Sequence, residues 1–396
     1  MTNVAILGFG VVGGGVAKLI SDNEKEIVSL GGDKINIKYI LDLYDFPDSP
    51  FADRVIHDYN IILNDSEITT VMEVMGGSHP AYEYTVSALR AGKNVITSNK
   101  EVVAKFGDEF LKLAREMGVS YRFEAAVGGG IPVLSPIINC IGQNKVSEVR
   151  GILNGTTNYI LTEMFTYGKS FNEALRDAQQ KGYAESNPDA DILGTDACRK
   201  IAILTALITG KLIPTENIHT EGITSIREED VKNAGKIGCT IKLVGRGIVG
   251  EGAPTALVAP FLVPTSMPLS GVMGVYNAVE IIAEPLGDVM FYGQGAGAGA
   301  TASAVVGDLM QVICSGTHCH APVFEKCTEA GDFGSFACRH YVACSKERCD
   351  IAAHIEGAEM IDADECVFIT PVMSERDFEK LLSELDILPL SHIRLI

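Results

Sequence analysis

Residues 4–13 read Val-Ala-Ile-Leu-Gly-Phe-Gly-Val-Val-Gly, and this stretch decides the fold. Its first four residues form a short apolar run that is typical of a buried parallel strand. The glycine pattern GxGxxG follows at once and opens onto a helical segment from Gly14 to about Ser21. A strand, a glycine turn and a helix in this order predict a dinucleotide-binding domain of the Rossmann type.

The glycines of this turn have separate physical tasks. Gly8 allows the tight turn, Gly10 lets a pyrophosphate approach the backbone, and Gly13 allows the helix to pack closely on the strand. The helix N-terminus then offers unpaired N–H groups to the phosphates. The predicted cofactor-binding residues of this turn are Gly8, Phe9, Gly10, Val11, Val12 and Gly13.

A second predicted strand, residues 35–41, ends at Asp42. A carboxylate at this position accepts hydrogen bonds from the adenosine ribose and repels a 2′-phosphate unless a basic residue compensates. The nearest bases, Lys34, Lys38 and Arg54, lie before, within and well beyond the strand. The sequence therefore predicts NAD or NADP as the cofactor, with NAD favoured.

Two further strands are predicted at residues 71–75 and 94–97, and they end next to Gly76 and Ser98. The carboxyl ends of parallel strands meet in the ligand crevice of such a fold. We therefore expect Gly76, Ser98 and Lys100 to face the cofactor. The alternative for Lys100 is a surface lysine beside a turn.

The composition bounds the class of protein. With 396 residues, 46% of them hydrophobic, the chain is long enough for two or three globular α/β domains. A net charge of −19 argues against nucleic acid or an anionic membrane as partner. The longest strongly apolar run, residues 201–209, is shorter than the roughly 20 residues that span a bilayer. We expect a cytoplasmic protein that acts on a small molecule.

The chain contains 10 cysteines, several of which gather with histidines in its last quarter. No CxxC pair occurs, so a structural zinc site is not favoured. Reduced thiols are the favoured interpretation, and a redox sensor across a dimer is the alternative. The residues concerned are Cys314, Cys319, Cys327, Cys338, Cys344, Cys349, His318, His320 and His340.

A polar stretch at residues 182–200 lies between two helical segments and reads GYAESNPDADILGTDACRK. Pro188 cannot continue a helix, so Glu185, Asp189 and Asp191 are predicted to lie on a loop, and a helix is predicted to restart near Thr195. On that helix Asp196 and Lys200 are four residues apart and share one face. Apolar neighbours indicate partial burial, which lowers the pKa of a lysine, whereas a nearby carboxylate raises it. Such a lysine suits proton transfer, although the spacing alone favours an ordinary surface ion pair.

Two shorter motifs allow two interpretations each. The glycine run after Glu124, residues 125–132, suits a hinge or carbonyl ligands for a hard cation, and the residues alone favour the hinge. Residues 154–158 read Asn-Gly-Thr-Thr-Asn, which suits a small polar substrate or an N-cap cluster for a helix over residues 159–167.

In this order the motifs resemble those of homoserine dehydrogenase. The resemblance covers about residues 1–310 and rests on GFGVVG, TSNK, EAAVGGGIP, GILNGTTNYIL, GYAE, NPDAD and GTDACRK, followed by NAV at 277–279, FYGQGAG at 291–297 and TASAV at 301–305. It implies reversible, nicotinamide-dependent reduction of L-aspartate 4-semialdehyde to L-homoserine in amino-acid biosynthesis.

The resemblance also implies roles for individual residues. Lys200 corresponds to the acid/base lysine, and Lys100 to a second lysine near the nicotinamide. Glu185 and Asp196 correspond to acids that hold the substrate amino group and order the site. Further residues implied at the site are Asp191 near those acids, Gly182 and Gly295 beside the cofactor, and Glu124, Val127, Gly129 and Ile131 at a site for a monovalent cation, Na⁺ or K⁺.

The chemistry of such a substrate agrees with the residues present. An amino-acid aldehyde has an ammonium, a carboxylate and a carbonyl group, and the developing alkoxide needs a proton source. We expect Glu185 and Asp191 to bind the ammonium. The other expected substrate-binding residues are Asn154, Gly155, Thr156, Thr157 and Tyr183.

The predicted fold is α/β with three parts. Residues 1–127, with a returning segment near 305–335, form the Rossmann-type domain, and residues 128–304 form an α/β catalytic and dimerisation domain. Residues 336–396 resemble a short, reduced ACT-like module, which we expect to aid dimerisation; feedback inhibition by threonine is the alternative. The expected assembly is a homodimer or homotetramer.

Two other functions stay open at this point. A different nicotinamide-dependent oxidoreductase, such as an aspartate dehydrogenase, would not need the spacing from Glu185 to Lys200. A non-catalytic dinucleotide sensor predicts a missing lysine or acid, whereas all of them are present.

Overall fold

The computed structural model describes residues 1–31, 33–250, 252–315 and 321–396. Among these residues, no helix combines the length and the apolar character that crossing a bilayer requires. Of the residues singled out above, His318, Cys319 and His320 lie outside the described ranges.

Six parallel strands form the first sheet, in the spatial order β3-β2-β1-β4-β5-β6. The order 3-2-1-4-5-6 is that of doubly wound dinucleotide-binding folds, which confirms the predicted Rossmann-type domain. The strands are β1 Thr2–Leu7, β2 Ile35–Leu41, β3 Val55–Ile56, β4 Ile68–Glu73, β5 Asn94–Thr97 and β6 Tyr121–Arg122.

Helices cover both faces of this sheet because its strands are apolar on both sides. Val4, Ala5, Ile6 and Leu7 of β1 are all fully buried. The helices are α1 Val11–Asp22, α2 Glu24–Gly31, α3 Tyr59–Asn64, α4 Ala81–Arg90 and α5 Lys100–Met117.

The second sheet has 11 strands, nine of which follow the order β13-β12-β7-β10-β11-β19-β15-β17-β16, while β9 pairs with β11 and β18 with β15. A separate two-stranded sheet pairs β8 with β14. The strands are β7 Lys145–Ile152, β8 Lys211–Leu212, β9 His219–Thr220, β10 Cys239–Ile248, β11 Thr255–Pro264, β12 Tyr276–Glu284, β13 Gly287–Gln294, β14 Glu325–Lys326, β15 Ala337–Cys344, β16 Glu359–Ile361, β17 Cys366–Ile369, β18 Met373–Ser374 and β19 Ser391–Leu395.

Helices α7, α10 and α11 pack on one face of the second sheet. Helix α10 is almost fully buried there, because Ile201, Ala202, Ile203 and Leu204 face the core. The helices of this half are α6 Leu134–Pro136, α7 Gly155–Tyr167, α8 Phe171–Gln180, α9 Asp189–Ile192, α10 Thr195–Thr209, α11 Glu228–Lys236, α12 Ala298–Ser315, α13 Cys349–Ala352 and α14 Glu375–Glu384.

Helix α12 returns the chain to the Rossmann-type domain. It packs against α1, where Val305 and Leu309 share a buried cluster with Val16 and Ile20. A Cβ atom added at Gly15 of α1 would lie 3.1 Å from the carbonyl oxygen of Ala298, so the small residue permits this close approach.

The last 60 residues follow the order β15-α13-β16-β17-β18-α14-β19, which is a βαββαβ succession apart from the two-residue strand β18. Strand β19 lies between β11 and β15, so these residues continue the second sheet. Helix α13 has only four residues, which agrees with the expected short first half. The ACT-like character of this part stays a prediction.

Candidate active site

The glycine turn lies between the carboxyl end of β1 and the N-terminus of α1. A Cβ atom at Gly13 would lie 2.0 Å from the carbonyl oxygen of Gly8, so only glycine fits there. Gly10 has no atom within 4 Å of an added Cβ, which leaves open space on that side. Helix α1 has no side-chain cap, so its first N–H groups are available to a ligand. This cradle fits the pyrophosphate of a dinucleotide.

Asp42 follows β2 beside the same turn. Its carboxylate accepts the N–H of Phe9 at 2.6 Å and the N–H of Tyr44 at 3.1 Å. These bonds fix the carboxylate next to the turn, at the position where an adenosine ribose binds in such folds.

The basic residues near Asp42 are engaged elsewhere. Lys34 pairs with Glu24, and Lys38 pairs with Asp65 and Glu67. Arg54 donates from Nη1 to the carbonyl oxygen of Ile37 at 2.8 Å.

His57, which sequence reasoning missed, lies closer to this position than those bases. Its Nδ1 lies 2.8 Å from the Asp42 carbonyl oxygen, and its Nε2 lies 3.0 Å from the Asp45 carboxylate. These two acceptors raise the pKa of His57 above its ordinary value. Residues 42 and 57 are too far apart in the sequence for their spacing to indicate this contact.

The centre of the site is a carboxylate shared by two lysines. The Asp196 Oδ1 atom lies 2.5 Å from Nζ of Lys100, and its Oδ2 atom lies 2.8 Å from Nζ of Lys200. Lys100 begins α5 in the Rossmann-type domain, whereas Asp196 and Lys200 belong to α10. The structure thus brings together the three predicted catalytic residues from the two halves of the chain.

Burial differs sharply between the two lysines. The side chain of Lys200 is 8% exposed and that of Lys100 is 38% exposed. Burial lowers the pKa of Lys200, and Asp196 opposes this effect. Burial also disfavours the charged form of Asp196, but the two ammonium groups outweigh burial and hold the pKa of Asp196 well below its usual range. The cluster is therefore not an ordinary surface ion pair.

Asn154 links this cluster to the loop before α10. Its Nδ2 atom donates to Asp191 at 2.7 Å and to Asp196 at 3.0 Å. Its Oδ1 atom accepts the N–H of Thr157 at 2.9 Å and caps helix α7. Lys200 donates to the neighbouring carbonyl oxygen of Leu153 at 2.7 Å. The N-cap interpretation of the Asn154 motif is confirmed, although the helix begins at Gly155 and not at residue 159, and the substrate-binding interpretation stays a prediction.

The remaining predicted substrate residues lie around the loop after α8. The Thr156 hydroxyl donates to the Tyr183 carbonyl oxygen at 2.7 Å, and the Thr157 hydroxyl donates to the Asn154 carbonyl oxygen at 3.1 Å. Glu185 is exposed, and its carboxylate makes no hydrogen bond or ion pair with the described residues. The loop turns at Gly182, which has φ +74°. Gly155 begins α7.

The segment after Glu124 is bent tightly. The Glu124 carboxylate accepts the N–H groups of Val133, Leu134 and Ser135 at 2.7 to 2.8 Å, so the side chain is fully used in holding this bend. A Cβ atom at Gly129 would lie 2.4 Å from the carbonyl oxygen of Gly295. The backbone of Gly129 therefore packs closely against Gly295, and Gly129 has φ +58°, so glycine is required at this position.

The cysteine-rich region does not assemble as one cluster in the described chain. Cys338 and His340 come together with Glu375, but Glu375 accepts two hydrogen bonds from Arg394 at 2.6 and 3.0 Å. This carboxylate is already neutralised, so the group forms an ion-pair network instead of a metal site. The nine described cysteines are free thiols.

Comparison with known proteins agrees with this geometry. A family model described as "Homoserine dehydrogenase" matches residues 132–310, and one described as "Homoserine dehydrogenase, NAD binding domain" matches residues 8–124. The homoserine dehydrogenase of Synechocystis sp. is 40% identical over 315 residues, which cover 78% of this chain and 73% of that protein.

Solved structures give the same result. The homoserine dehydrogenase of Thiobacillus denitrificans superimposes with a TM-score of 0.91 at 32% identity, covering 100% of this chain and 98% of that chain. A hyperthermophilic archaeal homoserine dehydrogenase in complex with NADPH gives a TM-score of 0.67 at 27% identity, covering 78% and 97%. The chain therefore belongs to the homoserine dehydrogenase family of nicotinamide-dependent oxidoreductases, which act on the alcohol group of a small molecule.

Proposed function

We propose that the chain interconverts L-aspartate 4-semialdehyde and L-homoserine, with Lys200 as the acid/base residue and Lys100 assisting. The observation that supports this proposal best is the carboxylate of Asp196, held between the ammonium groups of Lys100 and Lys200. This carboxylate and its two lysines lie at the carboxyl ends of the Rossmann strands, where substrate and cofactor meet in such folds.

The residues that would hold the cofactor are those of the glycine turn, Asp42, and the strand-end residues Gly76 and Ser98. When bound, the nicotinamide supplies the hydride in the reduction direction. Gly182 and Gly295 are proposed beside it. A Cβ atom at Gly295 would lie 1.9 Å from Nδ2 of Asn277, so this position requires glycine for packing as well.

Lys200 is suited to move the proton. Its ammonium has three donors, of which two are used by Leu153 and Asp196 among the described contacts. The third can donate to the substrate carbonyl oxygen and protonate the alkoxide as it forms. In the reverse direction, the neutral amine accepts the proton of the homoserine hydroxyl.

Lys100 is suited to stabilise charge instead. It is more exposed than Lys200 and lies at the crevice, where its ammonium faces the developing alkoxide. Asp196 fixes both lysines, so it is proposed to order the site without contacting the reacting carbon.

The substrate ammonium is proposed to bind Glu185 and Asp191. Glu185 is exposed on the loop and has no partner among the described residues, which leaves its charge for a ligand. Asn154, Thr156 and Thr157 hydrogen-bond within the protein, so we propose that they shape the substrate site, together with Gly155 and Tyr183.

A monovalent cation, Na⁺ or K⁺, is proposed in the bend after Glu124. The carbonyl oxygens of Glu124, Val127, Gly129 and Ile131 would hold it. Main-chain ligands are proposed because the Glu124 carboxylate is already occupied by three N–H groups. A cation there would stiffen the bend that joins the two halves of the chain.

NAD is proposed as the preferred cofactor. Asp42 presents a carboxylate at the ribose position, and Lys34, Lys38 and Arg54 are engaged elsewhere. The charge of a protonated His57 would be balanced by Asp45. The archaeal relative is in complex with NADPH, so the preference has to be measured for this chain.

A homodimer or homotetramer is proposed through the free edge of the large sheet. Among the described strands, β13 pairs only with β12, and Tyr276 and Tyr292 stack there with ring centroids 5.1 Å apart. Both rings are exposed, at 38% and 52%. An exposed edge strand with stacked aromatic rings is a ready surface for a second copy.

The test is an absorbance assay of nicotinamide reduction with homoserine, run separately with NAD and with NADP. We expect homoserine-dependent reduction, faster with NAD. Cofactor binding without turnover on homoserine would support a sensor or a different substrate.

A further inference from the structure

Glu73 is a buried carboxylate that the proposed mechanism does not use. It is the last residue of β4 and is 1% exposed. An isolated buried carboxylate is costly, so its hydrogen bonds matter. Its Oε1 atom accepts the N–H of Met75 at 2.9 Å, and its Oε2 atom accepts the hydroxyl of Thr97 at 2.6 Å.

The bond to Thr97 continues to the lysine at the crevice. The Thr97 hydroxyl accepts the N–H of Asn99 at 2.9 Å. The Asn99 side chain donates to the Gly77 carbonyl oxygen at 2.7 Å and caps α5, the helix that begins with Lys100. One carboxylate therefore connects the turn after β4 with the turn after β5.

The turn after β4 also contacts the glycine turn. A Cβ atom at Gly8 would lie 3.0 Å from Cγ of Met75 and 3.3 Å from the carbonyl oxygen of Val74. The N–H of Met75 is bonded to Glu73. Loss of this bond would displace Met75 and, through the contact with Gly8, would also shift the glycine turn that binds the phosphates. All three crevice turns thus depend on the same buried group.

We propose that Glu73 is a positioning residue, which fixes the three turns of the crevice and so places Lys100 and the nicotinamide against the substrate carbonyl. The proposal rests on the proposed function of Lys100. Glu73 does not reach the substrate itself, because Thr97, Asn99 and Met75 enclose its carboxylate.

Burial also brings the pKa of the Glu73 carboxylate into the neutral range. Burial raises the pKa of Glu73 to about 7, against the hydrogen bonds from Thr97, Met75 and Asn99. Tyr121 of β6 is the other titratable group that faces it. The ionised Glu73 carboxylate accepts a hydrogen bond from Met75 at one oxygen and from Thr97 at the other. Protonation of Glu73 removes one of these acceptors. Cofactor affinity should therefore weaken as the pH falls through this range.

The test compares Glu73→Gln with a pair of variants at its partner. Thr97→Val removes the bridging hydroxyl, Thr97→Ser retains it, and Thr69→Val on the exposed side of β4 is the control. The readouts are kcat, KM for homoserine, and the Kd of reduced nicotinamide cofactor from its fluorescence at several pH values. The chain has no tryptophan, which simplifies this titration.

We expect Glu73→Gln and Thr97→Val each to lower kcat about 10- to 100-fold, because small misplacements at a reacting centre have effects of this size. Both should raise the cofactor Kd, and Glu73→Gln should abolish its pH dependence near neutrality. The double variant should be little worse than either single variant, since both break one network. Thr97→Ser should recover most of the loss.

Wild-type kcat and Kd in Glu73→Gln would overturn the proposal. So would a Thr97→Ser variant as impaired as Thr97→Val, or a lower thermal stability with an unchanged Kd. If Glu73→Gln does not fold, the two Thr97 variants decide the matter. Wild-type protein without homoserine turnover would refute the proposed function, whereas the Kd comparison would still test Glu73.

Discussion

The carboxylate of Asp196 lies 2.8 Å from the ammonium of Lys200, one turn away on the same helix, at a position where both side chains are less than one-tenth exposed. Because this pair is largely removed from water, each charge is stabilised by its partner and not by solvent. Lys100 shares the carboxylate from the opposite side and reaches the crevice. The arrangement places a lysine of lowered pKa next to a fixed positive charge, which suits proton transfer to a new alkoxide.

This pair predicts the pH dependence of turnover. Homoserine oxidation needs the neutral amine of Lys200, so kcat should rise with pH through an apparent pKa below the ordinary lysine value of 10.5. Asp196→Asn removes the charge that raises the Lys200 pKa, so the rising limb should move to lower pH. We also expect kcat to fall about 100-fold, because proton transfer by a positioned group contributes an effect of that order. If the rising limb of the kcat–pH profile does not shift in Asp196→Asn, the assignment of Lys200 as the acid/base residue is contradicted.

The glycine turn predicts a contrast between two neighbouring substitutions. Gly13→Ala would place a Cβ atom 2.0 Å from the Gly8 carbonyl oxygen, so the strand and helix must separate. We expect a loss of about 1–3 kcal/mol in the free energy of unfolding, as for other overpacked sites, together with lost cofactor binding. Gly14→Ala meets no atom within 4 Å and should stabilise α1 by about 0.5–1 kcal/mol. Chemical denaturation and cofactor titration of both variants check this, and equal behaviour would refute it.

Asp42 predicts the cofactor preference. Asp42→Asn keeps the shape and removes the charge that disfavours a 2′-phosphate. We expect the ratio of kcat/KM with NADP to that with NAD to rise about tenfold, which corresponds to about 1.4 kcal/mol. Asp48→Asn, at an exposed position nearby, is the matched control and should leave the ratio unchanged. A ratio that does not move in Asp42→Asn would remove Asp42 from the specificity site.

The ion-pair network near β19 predicts acid sensitivity. Burial, together with Arg394 and His340, lowers the pKa of His392 to about 3. The unfolded chain then binds one more proton than the folded chain between pH 6.5 and about 3, so stability is present above pH 6.5 and falls as the pH falls through this window. The slope is at most about 1.4 kcal/mol per pH unit for one proton.

His392→Gln should reduce this slope, whereas His354→Gln, at an exposed position, should not. Urea unfolding at pH 7.5 and pH 5.0 measures the slope for the three proteins. Identical slopes in wild type and His392→Gln would show that this buried histidine does not titrate on unfolding.

Much of the first half could be predicted because its signals are local. The strand at residues 35–41 was predicted with its observed bounds, and α10 begins at Thr195 as predicted. The loop predicted for Asp189 and Asp191 is wrong, because both residues lie in the short helix α9, which begins directly after Pro188. The strand predicted at 71–75 lies instead at Ile68–Glu73, because the Glu73 carboxylate accepts the N–H of Met75 and turns the chain there. The pattern of apolar residues does not predict this hydrogen bond between the Glu73 side chain and Met75.

Contacts between distant segments could not be predicted in the same way. No pattern in the sequence indicates that β19 lies between β11 and β15. The spacing of Asp196 and Lys200 predicts their common face, whereas the approach of Lys100 depends on how the two halves of the chain pack. The position of Lys100 at a strand end placed it in the crevice, and the resemblance to a family gave it a role beside Lys200, but neither indicated that it pairs with Asp196.

The most direct test of the account is homoserine-dependent formation of reduced nicotinamide cofactor by wild type, Lys200→Ala and Lys112→Ala at saturating cofactor. Lys112 is an exposed lysine on α5 and serves as the control. We expect Lys112→Ala to match wild type and Lys200→Ala to lose about 100- to 10,000-fold in kcat, with cofactor Kd unchanged. Unchanged kcat in Lys200→Ala would contradict its assignment as the acid/base residue.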